Sequence, residues 1–256
     1  MRVWVTLLLV FVGCGVFEFH PYELRGPPRD LHARSLARLK DAGPKPTFQF
    51  AVIGDMQLFL DDAAGAMRDL EQRNADFVIQ MGDLTEFGST QEYEWGVELL
   101  SRLPAPFFVV MGNHDALGLG QKLYRRTFGP ESFAFEYSGH RFVFFDSNSR
   151  EYGFPGNIPD LDWLGTALTP QPGLQRTFTF SHVPPGNGDF DDALIAPLEQ
   201  LQADHGVSIS FHGHVHQFTD TESRGVRYVT TEAMRHRSYL WVRVDGDAVQ
   251  VERVTY

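Results

Sequence analysis

Five apolar runs in this chain end at residues that bind metals or move protons, and no other feature constrains the fold as tightly. "FAVIG" runs into Asp55 and, two places on, Gln57; "FVIQMG" into Asp83; "FFVVMG" into Asn113, His114 and Asp115; "TFTFS" into His182; "SISFHG" into His214 and His216. Runs of Val, Ile and Phe this short read as strands buried on both faces. In open α/β sheets the carboxyl ends of the strands form the crevice where ligands bind, so the recurrence directs all five ends at one site.

From Thr47 onward such runs alternate with helical patterns, which predicts an α/β layered domain over 47–256. Strands are expected over 48–54, 77–81, 107–111, 133–137, 142–146, 176–181, 207–212, 226–231, 238–244 and 248–254. Helices are expected over 61–73, 90–102, 118–127, 160–168 and 191–204, with Trp95 and Trp163 facing the core. "SFAFEYSGHRFVFFD" reads as an antiparallel hairpin through a Ser-Gly turn, so the sheets are mixed. Ahead of this domain, 14–46 reads as a spacer or edge-wrapping arm with a short helix from about Asp30 to Asp41.

Residues 1–13 read as a signal peptide. Arg2 precedes an apolar run, Val3 to Val12, which is too short for the ~20 residues that a membrane-spanning helix needs. The single cysteine, Cys14, follows "FVG" in a pattern that resembles the lipobox of bacterial lipoproteins, with Phe11 where leucine is usual. The expectation is export to a bacterial cell envelope and a membrane tether through lipidated Cys14.

The donor types narrow the chemistry. Asp, Asn and His without thiolates suit hydrolysis by hard or borderline divalent ions such as Mn, Fe, Zn or Mg. Two such ions about 3.5–4 Å apart clamp the attacking and leaving oxygens of an in-line displacement at phosphorus. Gly54, Gly82 and Gly112 each precede a key residue and allow close backbone approach. A formal net charge of −11 with no clustered Lys and Arg argues against polymeric nucleic acid as a partner, whereas bound cations would still draw a small phosphorylated substrate.

In order, the blocks "GDMQ", "GDLTE", "GNHD", "SHVPP" and "GHVH" resemble those of the calcineurin-like metallophosphoesterase superfamily. The departure is Gln57, where a D-x-H first block carries histidine. The resemblance implies an α/β/β/α sandwich of two mixed sheets flanked by helices. It implies two divalent ions, one held by Asp55, Gln57 and His216, the other by Asn113, His182 and His214, with Asp83 bridging. It also implies a metal-bridging hydroxide as nucleophile, His114 acting on the leaving alkoxide, Asp115 orienting that imidazole, and Glu86 as a supporting acid. The reaction implied is hydrolysis of a phosphomonoester or phosphodiester.

Taken singly these residues have plainer readings: an aspartate after a strand is often a helix cap, and a lone histidine is often a satisfied core group. His140 and His205 keep that plainer reading, and His236, between two arginines, is a candidate contact for substrate phosphate. Three alternatives compete with the enzyme. A metallo-β-lactamase-like zinc hydrolase needs H-x-H-x-D-H, but Gln217 stands where its acid belongs. A lipoprotein that binds metal or phosphoester without turnover is supported only by Gln57, and a structural lipoprotein leaves the strand-end residues without a purpose.

Overall fold

The computed structural model describes residues 28–256; the signal peptide and Cys14 lie outside them. In chain order the elements are α1 (Leu31–Ala42), β1 (Thr47–Ile53), α2 (Leu60–Arg73), β2 (Phe77–Gln80), α3 (Thr90–Leu100), β3 (Phe107–Val109), α4 (Gly120–Thr127), β4 (Phe133–Tyr137) and β5 (His140–Phe144). Then follow α5 (Leu161–Leu168), β6 (Arg176–Phe180), α6 (Asp192–Asp204), β7 (Val207–His212), β8 (Thr219–Ser223), β9 (Val226–Thr230), β10 (Ser238–Asp245) and β11 (Ala248–Thr255).

The strands form two mixed sheets, ordered β11-β10-β1-β2-β3 and β4-β5-β6-β7-β9-β8. In the first, β1, β2 and β3 are parallel and β10 and β11 add antiparallel. In the second, β5, β6, β7 and β9 are parallel, with β4 and β8 antiparallel at the two edges. Side-chain alternation builds the layers: Phe48, Phe50 and Val52 of β1 enter the core between the sheets, while Ala51 and Ile53 face α2 and α3. The core between the sheets is largely phenylalanine, with Phe50 stacked on Phe77 at 4.9 Å and Phe180 on Phe211 at 5.2 Å. Helices α5 and α6 cover the outer face of the second sheet through Leu164, Leu168 and Leu198. The result is the α/β/β/α sandwich.

The arm expected over 14–46 joins the domain from Leu31 onward. Strand β3 is an edge strand, and an edge leaves unpaired N–H groups. Helix α1 answers two of them: the Phe107 N–H donates to Ser35 Oγ at 3.2 Å, and the Val109 N–H to His32 Nε2 at 3.0 Å. Leu31, His32, Ser35 and Leu39 are buried by this docking, so the folded unit begins before residue 47.

Two smaller expectations are corrected. Trp95 is 49% exposed rather than core-facing, because α3 presents that position away from the sheet. Strand β8 was not anticipated, since "TDTES" has no apolar residue to betray an edge strand.

Candidate metal centre

The loops after β1, β2, β3, β6 and β7 converge at one end of the sandwich, and two of them turn on glycines that nothing else could replace. A Cβ on Gly112 would stand 2.2 Å from Asp83 Oδ1, and one on Gly82, at φ +97°, would stand 2.5 Å from His182 Nδ1. Several of the converging residues are themselves held at positive φ: Asp83 at 53°, His214 at 68° and His216 at 55°. Left-handed backbone costs a non-glycine residue on the order of 1–3 kcal/mol, and such strain gathers at functional sites.

The donors fall into two groups, linked by the His214 backbone N–H, which donates to Asp55 Oδ1 at 3.2 Å. In one, Asp55 Oδ2 and His216 Nε2 lie 2.8 Å apart. In the other, Asn113 Oδ1 lies 3.1 Å from both His182 Nε2 and His214 Nδ1. Asp83 Oδ2 joins the second, 3.3 Å from His182 Nε2, and also lies 2.7 Å from Gln57 Nε2. Ligand atoms of Asp83, His182 and His214 all fall within 4.8 Å of one another.

These residues fit metal ions. Asp55 Oδ2 is buried with no aligned hydrogen bond although His216 Nε2 lies 2.8 Å from it, so the two atoms converge without bonding well to each other. A cation between them satisfies both. His182 Nδ1 donates to Met81 O at 2.7 Å, which leaves Nε2 turned to the centre as a donor for metal. Burial acts to lower the His182 pKa, but Asp83, hydrogen-bonded and close, overrides it and pushes the group up to about 10. Burial and the His182 charge push His214 down to about 4, and Asp83, despite burial, is held below the usual carboxylate range by His182.

One expected role changes, that of Asp115. Gln57 donates its amide N–H to Asp83 Oδ2 at 2.7 Å, which leaves its carbonyl oxygen, the expected metal donor, to offer a cation. Asp115 does not orient His114. Its carboxylate is fully buried and accepts from the N–H groups of Gly112, Leu84 and Thr85 and from the Thr85 hydroxyl. It pins the loop after β2 to the loop after β3, and burial with the nearby Asp83 charge pushes it up to about 6. His114 is oriented instead by Glu86, whose carbonyl oxygen accepts from Nδ1 at 2.8 Å and whose carboxylate lies 3.7 Å away. The backbone N–H of His114 donates to Asp83 Oδ1 at 2.9 Å. Burial opposes it, yet Asp83 and the Glu86 carbonyl raise the His114 pKa.

One contact was missed from the sequence. Asp189, in the loop between β6 and α6, places Oδ2 3.1 Å from His214 Nε2 and 2.7 Å from an Arg150 nitrogen. The acidic segment "PPGNGDFDD" signals a cleft wall, but nothing in it singles out Asp189.

A buried cluster of carboxylate, imidazole and amide donors at the strand ends of a two-sheet sandwich defines a metallohydrolase site, and residues 48–218 match the calcineurin-like phosphoesterase family. The chain belongs to that family. It is 27% identical over 204 residues to the glycerophosphodiester phosphodiesterase GpdQ of Enterobacter lignolyticus, covering 70% of this chain and 71% of that protein. It is 24% identical over 214 residues to the 3',5'-cyclic adenosine monophosphate phosphodiesterase CpdA of Haemophilus influenzae, covering 74% and 77%. Its fold is that of a dimetal phosphatase from Danio rerio, with a TM-score of 0.64 at 15% identity over 82% of this chain and 99% of that one.

Proposed function

We propose that this phosphoester hydrolase acts on small phosphodiesters, using two divalent ions held between the sheets. One observation carries the reading: the donors gather into an Asp55–His216 pair and an Asn113–His182–His214 group that the Asp83 carboxylate adjoins. The two relatives named for diester hydrolysis favour diesters over monoesters. The zinc β-lactamase-like and structural readings have no such support.

When bound, the ions neutralise charge developing at phosphorus and lower the pKa of coordinated water. The rest falls to the chain. Asp55 and His216, with the Gln57 carbonyl oxygen, would hold one ion, and Asn113, His182 and His214 the other, with Asp83 available to both. Gln57 steadies Asp83 by donating to Oδ2. His114, half-buried and with its pKa raised, keeps its proton at higher pH than a free imidazole and delivers it to the departing alkoxide. The Glu86 carbonyl fixes the ring for that transfer.

We further propose export and tethering through Cys14, a reading supported by the N-terminal sequence alone. Among the described residues no helix is long and apolar enough to cross a membrane.

The chemistry is tested by a panel of alkyl and aryl phosphodiesters and the matching monoesters, assayed with Mn²⁺, Zn²⁺ and Mg²⁺ added singly to chelator-stripped protein. Metal-dependent turnover with diesters preferred is the expected result. Turnover of monoesters alone would move the substrate class, and metal uptake without turnover would leave a binding protein.

A further inference from the structure

His182 is oriented by a main-chain carbonyl, that of Met81. His214 is oriented by a side chain. Its Nε2 lies 3.1 Å from Asp189 Oδ2, and its Nδ1 lies 3.1 Å from Asn113 Oδ1. A carboxylate beside one imidazole nitrogen keeps the proton there and leaves the other nitrogen bare, with the ring fixed and more basic.

Asp189 is itself held from behind. A guanidinium nitrogen of Arg150 lies 2.7 Å from the same Oδ2. The Arg150 N–H donates to Asp189 O at 3.3 Å, and the Asp189 N–H to Asn187 Oδ1 at 2.9 Å. Three loops therefore meet in a line: Arg150 after β5, Asp189 after β6, His214 after β7. The Arg150 side chain is 47% exposed, and an ion pair this open to water contributes little to stability, on the order of 0–1 kcal/mol. Fixing a ligand explains the arrangement better than holding the fold does.

We propose that Asp189, braced by Arg150, is a positioning residue that presents His214 Nδ1 to metal and so sets the affinity of the position shared with Asn113 and His182. This rests on the two-metal reading above, and it predicts an effect on one ion and not the other.

The test is calorimetric titration of the chelator-stripped full chain with Mn²⁺ alone, and again with Zn²⁺ alone. Wild type is expected to show two classes of site. In Asp189→Ala one class weakens roughly 10- to 100-fold, the usual consequence of losing such a partner, and the other is unchanged. Asp189→Asn, whose amide oxygen still accepts from Nε2–H, falls between, and Arg150→Gln weakens the same class by less. Melting of the stripped proteins reads folding separately. If Asp189→Ala does not fold, Asp189→Asn and Arg150→Gln decide. Unchanged affinities, or equal weakening of both classes, would overturn the proposal while leaving the hydrolase intact. Absence of metal binding by wild type would overturn both.

Discussion

His114 and Asp115 are neighbours in sequence and face different parts of the site. They open a 3-10 turn, His114–Ala116, in which successive side chains point about 120° apart. His114 is directed at the cleft and Asp115 into the wall. The two substitutions should therefore separate cleanly. His114→Ala should lower kcat by about 10²- to 10⁴-fold, the range for loss of a general acid, and leave the melting temperature nearly unmoved. Asp115→Ala strands four buried donors and should cost on the order of 3 kcal/mol in urea unfolding. The ligand candidates were legible because each follows an apolar run within four residues, which is local information. The work of Asp115 and the position of Asp189 were not, because both depend on loops that are distant in sequence meeting in space.

At the scale of elements, α1 shows what a helix gains by sealing a sheet edge. His32 accepts from the Val109 N–H while packed against Phe128 and Phe133, with ring centroids at 5.5 and 4.3 Å. Burial pushes its pKa down to about 3. The folded value lies below the unfolded 6.5, so the unfolded chain takes up the proton first as pH falls. The stabilisation is complete above pH 6.5 and is lost between 6.5 and 3. Between pH 8 and 5 wild type should lose about 2 kcal/mol more than His32→Gln, whose amide oxygen still serves the Val109 N–H. Urea titrations of both proteins in chelator at the two pH values measure the difference. Most element positions were readable from apolar periodicity. Strand β8 was not, being polar throughout, and neither was the role of α1, since no pattern in "LHARSLARLKDA" says that a histidine and a serine will cap another strand's N–H groups.

For the molecule as a whole, the centre is a seam. Asp55, Gln57, Asp83, Asn113 and His114 hang from the first sheet, and His182, His214 and His216 from the second. Ions shared between these sets would cross-link the sheets at one end of a core rich in phenylalanine contacts. Metal at a hundred times its dissociation constant stabilises the folded state by about 2.7 kcal/mol. Stripping with chelator should lower the melting temperature, and hydrogen exchange should quicken in the ligand loops of both sheets together. Exchange that quickened on one side alone would mean the ions do not bridge them.

The direction of α1 has a mechanical consequence. Its first turn meets Val109, at the carboxyl end of β3, and the next meets Phe107, at the strand's start. The chain thus enters the domain at the end of the sandwich that bears the ligand loops and runs away from it. Leu31, where α1 begins, and the mouth of the site therefore share one pole of the sandwich.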